Sequence, residues 1–247
     1  ALAGPHLARA IGSAKRWSEC VLAGFTWFSG DYAFDPATPG AMIGDAAARR
    51  RLLALLALVA RDADSRELEV LLKQDAALSF HLLKLVNSAA FAVGSTSITS
   101  FGQAISVLGR RQLQRWLQLL LYARQQANGL PNLMLPLAAL RGAQMEALCK
   151  RDGGDRDSQE LAFMTGVFSL LDCLFGIPMA VLVGELKLPP EAEAALLRRE
   201  GALGQRLSLF ECAPGEQELE AAGISRDDWW RSQLYAWHWA IQVGRNV

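Results

Sequence analysis

The chain has no excess of either charge: 25 basic residues balance 25 acidic ones, for a formal net charge of zero. Neutrality withholds the electrostatic footprint of a general nucleic-acid or anionic-membrane binder, so neither partner is expected. Cysteine is sparse, and Cys20, Cys149, Cys173 and Cys212 lie far apart with no C-x-x-C pair. That spacing argues against a zinc knuckle and a disulfide framework, and it reads as reduced thiols in a cytosolic protein. Long apolar runs are missing too: nothing reaches the about eighteen uninterrupted residues of a membrane span, and no signal peptide opens the chain. The expectation is a soluble, cytoplasmic protein. No Ser-His-Asp spacing, Walker loop or dinucleotide glycine pattern occurs. The start at Ala1 rather than Met leads to the expectation of a piece of something longer.

What is present is hydrophobic surface, 51% of 247 residues, enough for one large domain or one and a fraction. The stretch from Asp75 to Leu108 organises it. Leu78, Leu82, Leu85, Val86 and Ala89 recur at helical spacing, and Phe80, Leu83 and Phe91 form a second apolar stripe. A helix with two such stripes has little face left for water and must be buried. Asn87 sits in the second stripe, where its amide needs hydrogen-bond partners. The polar loop at 95–100, behind the helix-stopping Gly94, supplies unpaired backbone, so Asn87 reads as the pin between helix and loop. Ser100 with Gln103 then forms a capping box that starts the next helix.

An acidic residue, an apolar helix, Asn87-Ser88-Ala-x-Phe, then Ile98-Thr-Ser100, Ala104-Ile105 and Leu108-Gly109 resemble the HDOD domain (HD-related output domain) of bacterial signalling proteins. The resemblance implies an all-α fold: an HD-like multi-helix bundle, related to the HD phosphohydrolases and usually without their chemistry. Asn87, Ser88, Ser100 and Gly109 are its structural motif.

Residues 1–37 differ in style. Leu7, Ala10, Ile11 and Ala14 suggest one helical piece, and Trp17, Cys20 and Val21 another. The aromatic run from Phe25 to Phe34 alternates as a strand does. A lone strand leaves its edges unpaired, so it is expected either to join a sheet outside this chain or to pack as an arm on the helical body or on a second copy. Gly24-Phe25, Ser29-Gly30, Phe34 and Pro36 resemble the end of an EAL domain, the cyclic-diguanylate phosphodiesterase barrel. Arg9, Gly12 and Ser29 replace that family's acidic residues and Gln, so the piece resembles a degenerate remnant. The domain reading is 1–37 EAL remnant, 38–44 linker and 45–247 HDOD.

Further along, Asp45 caps a helix through the leucines 52–58, and Glu67 to Lys73 forms a short one. Leu113, Trp116, Leu117, Leu120 and Leu121 share a core face. Arg110, Arg111 and Arg115 lie at the start of that helix, where a positive charge opposes the macrodipole; this suggests an acidic partner or an intramolecular carboxylate. Pro131 and Pro136 bracket a loop before the helix of residues 137–150, and residues 151–157 read as a mobile polar break. Ser158 to Phe175 reads as one buried helix. Gly176 and Pro178, then Pro189-Pro190, punctuate short helices, the second over 191–200, before another at 205–212. Ser225 with Asp228 caps a last helix whose Trp230, Leu234, Trp237, His238 and Ile241 read as a core face.

A metal phosphohydrolase of the HD type needs converging His and Asp ligands. Only His6, His81 and His238 occur, none before Asp. Gly166-Val-Phe-Ser-Leu-Leu-Asp172 resembles the segment that carries the His-Asp pair, with Ser169 and Leu170 in its place. His81, with Lys84 and Ser88 at i+3 and i+7, marks a stripe that faces solvent or lines a small pocket.

These residues lead to a non-catalytic signalling output module, not an enzyme, needing no metal or cofactor. It would act through a protein partner, with a possible homodimer through the N-terminal arm. The alternative is a cyclic-dinucleotide receptor using Arg49 to Arg51, Arg110, Arg111 or His81, since phosphates favour arginine forks. A weaker alternative is a residual metal phosphohydrolase around Asp172.

Overall fold

The structure, a computed structural model, describes residues 6–32, 46–61, 63–73, 79–80, 103, 109–120, 122, 134–211 and 214–244. Asn87, Ser88, Ser100 and His81, with most of the 75–108 stretch, lie outside the described residues. What is described is predominantly helical, in keeping with an HDOD bundle.

The first unit is small and mixed. Strands β1 (Leu7–Ala8) and β2 (Trp27–Phe28) pair in parallel, with Leu7 opposite Trp27, and α1 (Ala14–Leu22) crosses between them. A parallel pair requires such a crossover. Leu7 therefore belongs to a strand rather than to the expected helical piece. It supplies the aromatic strand with a partner from within this chain. Ser13 caps α1 by accepting from the Arg16 amide at 3.1 Å, and Trp17 stacks on Tyr32 with ring centres 6.3 Å apart.

The body begins with α2 (Ala46–Ala60), α3 (Ser65–Lys73) and α4 (Arg110–Leu120). Gly109, just before α4, takes the left-handed conformation at φ 77° with nothing near its α-carbon that a side chain would meet. Helix α5 (Met134–Arg151) starts earlier than expected, because Pro136 lies in its first turn, where a missing N–H costs nothing. Buried residues cover most of its faces, from Ala138 and Ala139 to Gln144 and Leu148.

The single helix expected over 158–175 is two: α6 (Arg156–Phe168) and α7 (Leu171–Phe175). Gly176 ends α7 at φ 62°, as its position indicated. There follow α8 (Met179–Leu186), α9 (Pro190–Arg198), α10 (Gly201–Ser208), α11 (Glu216–Ala221) and α12 (Arg226–Gly244). The helix expected at 205–212 thus sits four residues earlier. The reason is the left-handed pair Arg199 and Gly201, which turns the chain sooner.

Helix α5 runs between α6 and α12. At the α5–α6 crossing a β-carbon on Gly166 would meet the Arg141 carbonyl oxygen at 2.7 Å and Gly142 Cα at 2.9 Å. Glycine lets the two backbones touch. The main core joins Leu55, Leu117, Phe163, Phe168, Leu182 and Ala192, and a second cluster surrounds Leu148, Leu219 and Trp229.

The face of α12 is reversed from expectation. Trp229, Ser232, Ala236 and Ala240 are buried, while Trp230, Leu234, Trp237 and Ile241 are exposed, as is His238. Small residues on the inner side let α12 lie close to α5. The polar break after α5 is tied down rather than loose. Arg151 donates to the Gly223 carbonyl at 3.0 Å and reaches Asp228 at 3.4 Å, Asp152 pairs with both Arg151 and Arg206, and Asp155 caps α6 through the Ser158 amide at 2.8 Å.

Candidate functional site

Ser169 and Leu170, where the resemblance sought a His-Asp pair, form the break between α6 and α7. The Ser169 hydroxyl donates back to the Gly166 carbonyl at 2.7 Å and accepts from Arg141 Nη1 at 3.0 Å. Back-bonding of this kind competes with the helical ladder and bends it. Leu170 leaves helical geometry at φ −112°, ψ 8°, and its side chain enters the core. Asp172 accepts from the Cys173 amide at 2.8 Å, a local contact in the first turn of α7. Burial, then the neighbouring Asp172 charge, pushes the Cys173 thiol up to about 11. Among the described residues no group of three or more His, Cys, Asp or Glu could hold a metal ion.

Arg141 connects this junction to an open cavity of about 880 Å³ beside α5, α11 and α12, lined also by Gln144, Phe210, Arg226, Trp229 and Gln233. Burial lowers the Arg141 pKa from its ordinary value. No carboxylate among the described residues lies within ion-pair distance of it. One turn on, Gln144 is fully buried; its Nε2 donates to Ser232 Oγ at 3.2 Å, and its Oε1 has no partner. A buried acceptor left unmatched costs about 1–3 kcal/mol. The opening carries two guanidiniums, Arg141 and Arg226, together with three carboxylates, Asp31, Glu211 and Glu216. Neither Arg141 nor Gln144 stood out in the sequence. The available signal was a polar pair at i, i+3 on a helix otherwise apolar on most faces.

The arginine group at the start of α4 resolves differently. Arg115 Nε and Nη2 bind Glu160 at 2.9 and 2.6 Å, while Nη1 and Nη2 bind Glu146 at 3.1 and 2.7 Å. Burial works against the charged guanidinium, but the hydrogen bonds to Glu160 and Glu146 outweigh it and hold its pKa above the ordinary value. Arg111 pairs with Asp157 at 2.8 Å while remaining exposed. Of the two partners the sequence left open, intramolecular carboxylates hold both residues. The Arg110 side chain is outside the described residues, as are Arg49 and the His81 stripe.

Residues 48–169 match the family model of the HDOD domain. The chain carries an HDOD domain. It is similar to "Cyclic di-GMP phosphodiesterase CdgJ" of Vibrio cholerae serotype O1, with 32% identity over 192 residues, 75% of this chain and 44% of that protein. It is also similar to "Uncharacterized protein YuxH" of Bacillus subtilis strain 168, with 27% identity over 140 residues, 56% of this chain and 34% of that protein. The HDOD chain thus spans less than half the length of these two relatives. No solved structure matches.

These similarities correct one expectation. The residues alone point to a non-enzymatic chain, yet a relative that aligns with three quarters of it is named a phosphodiesterase. Ser169 and Leu170 in the place of a His-Asp pair bear on one chemistry of one bundle. No helix among the described residues is long and apolar enough to cross a membrane.

Proposed function

We propose that this chain is part of a cyclic di-GMP phosphodiesterase, in which the HDOD body carries the signal output by engaging a protein partner. The observation that carries the reading is the 32% identity over 192 residues with a protein of that name. The parallel strand–helix–strand unit of β1, α1 and β2 supports it, because that is the local topology from which α/β barrels are built, as the EAL resemblance of residues 1–37 implies. The ion-paired body supports the output role: α4, α5 and α6 are clamped by Arg115, so a partner meets a preset shape. The test is hydrolysis of cyclic di-GMP by the purified protein in its longest natural form, with a partner pull-down with and without residues 1–44. Absence of turnover across divalent metals would sink the enzymatic half, and an unchanged empty pull-down the output half.

A second reading, a cyclic-dinucleotide receptor, has its own support in the Arg141 cavity. The cavity offers the Arg141 and Arg226 guanidiniums for phosphate, with the half-buried Phe210 at its wall. Calorimetry with cyclic di-GMP is expected to show binding that Arg141→Ala weakens about 10-fold or more. No heat with the parent protein would remove this reading.

A further inference from the structure

Helices α4 and α6 leave an open cleft of about 440 Å³ between them. On α4 it is lined by Arg111, Gln114 and Gln118, and on α6 by Asp157, Glu160 and Met164, each set sharing one face of its helix. Gln118 is only 6% exposed, and among the described residues neither end of its amide makes a hydrogen bond. The oxygen is sealed from solvent. Leucine would fill the same space without the penalty of a buried, unmatched amide, so the amide asks for a partner that enters from the cleft.

The charges along the same wall do not balance either. Arg111 binds Asp157 at 2.8 Å, and Arg115 is shared between Glu146 at 2.7 Å and Glu160 at 2.6 Å, so two guanidiniums serve three carboxylates. Glu160 uses one lone pair on each oxygen for Arg115, whereas a carboxylate offers about four. Its side chain is 30% exposed and lines the cleft. Asp157 binds Arg111 through Oδ1 alone.

We propose that this cleft is a binding site for an alkylguanidinium group, carried either by a free small molecule or by an arginine side chain of another protein. The guanidinium supplies the missing positive charge and a planar fork of N–H donors. It donates to the remaining lone pairs of Glu160, with Asp157 beside it, and to Gln118. The Gln118 amide turns end for end about its soft terminal torsion, and no hydrogen bond is lost in the turn. The methylene stem lies on the half-buried Leu161 and Ala60, which line the same cleft. An anion is disfavoured here by the charge count. The site is separate from the Arg141 cavity and does not depend on the phosphodiesterase reading.

The experiment is a heteronuclear NMR titration of the whole chain, following the Gln118 side-chain amide and the backbone amides of Ala60 and Leu161. Butylguanidinium is expected to shift these signals saturably, with a dissociation constant of about 1 mM. Butylurea has the same shape without the charge, and butyltrimethylammonium has the charge without N–H donors; each is expected to bind at least about 10-fold more weakly. Acetyl-Gly-Arg-Gly-amide identifies the source. Binding as tight as that of butylguanidinium assigns the site to an arginine side chain, and its exclusion while butylguanidinium still binds assigns it to a free molecule. Asp157→Asn and Gln118→Leu are each expected to weaken butylguanidinium about 10-fold. Gln118→Leu is also expected to melt at or above the temperature of the parent, because it removes an unbonded buried amide. A residue kept only for packing would instead lose stability and leave binding unchanged. No saturable shift at about 50 mM butylguanidinium, equal binding of butylurea, or parent-like binding by the Gln118→Leu variant would overturn the proposal.

Discussion

Arg115 and Glu160 face each other through two parallel hydrogen bonds, Nε to Oε2 at 2.9 Å and Nη2 to Oε1 at 2.6 Å. The same guanidinium holds Glu146 and lies 4.8 Å over the Phe163 ring. One cation therefore binds carboxylates from two other helices, with its own side chain only 16% exposed. Removing it strands two largely desolvated carboxylates beside each other. Arg115→Ala is expected to cost about 3–5 kcal/mol. Arg115→Lys keeps the charge but cannot fork to both partners, and it is expected to fall between the two. Urea unfolding checks this. An alanine variant within about 1 kcal/mol of the parent would show that the clamp contributes no more than an exposed pair.

The contact of α5 with α6 is a backbone contact, and this makes Gly166 the sharper of its two glycines. A methyl at Gly166 meets the Arg141 carbonyl oxygen at 2.7 Å, whereas one at Gly142 meets side chains, Val167 Cγ2 at 2.7 Å and Phe163 at 3.1 Å. Backbone cannot rotate aside. Gly166→Ala is expected to cost about 2–4 kcal/mol and Gly142→Ala less, in the range of ordinary overpacking. Thermal melts of the two variants decide the order, and a reversed order would mean that the helices separate more easily than their side chains repack.

Signals confined to a few neighbouring residues were legible in the sequence. Gly176 ends α7 and Pro189-Pro190 begins α9 because those residues restrict their own backbone. The HDOD assignment was legible from an ordered run of uncommon residues, and the family match over 48–169 agrees with it. The face of α12 was not. Periodicity finds a stripe without saying which side of the helix is buried, and here the aromatics lost to Ala236 and Ala240, which allow closer packing. The break at Ser169 was hidden because the apolar pattern runs on through Leu170 and Leu171, and the bend comes from one hydroxyl. Strand β1 is two residues long and carries no period. Arg141 gains its meaning from helices far away in the chain, a relationship that no local window contains.

Cys173 and Cys20 share a residue type and differ in setting. Burial, then Asp172, pushes the Cys173 thiol up to about 11, so almost none of it is thiolate at neutral pH. Alkylation by iodoacetamide at pH 7.5, well below the ordinary thiol value of 9.0, is expected to be slowed roughly 100-fold at Cys173 relative to a free cysteine, with recovery only as pH approaches 11. Mass spectrometry of quenched time points reads each cysteine separately. Fast labelling of Cys173 would show that the start of α7 opens to solvent.

Two helix starts share one pH response. Asp155 caps α6 through Ser158, and Asp228 at the start of α12 accepts from the Ser225 hydroxyl at 2.6 Å while its own amide donates back to Ser225 at 3.1 Å. The hydrogen bonds from Ser158 and Ser225 respectively hold the two carboxyls below the ordinary aspartate value of 3.8. A depressed folded pKa means that the stabilisation is present above the unfolded value and is lost as pH falls through the folded one. Asp155→Ala and Asp228→Ala are therefore each expected to lower the melting temperature by a few degrees at pH 7, with the gap to the parent closing as pH falls below about 3.8. The Asp228 variant also releases Arg151 from one of its contacts, so its effect at pH 7 is expected to be the larger and the more sensitive to salt. Calorimetric scans at pH 7 and pH 3 with low and high salt test both statements, and a gap that stays constant with pH would place the stabilisation in packing rather than in the carboxylates.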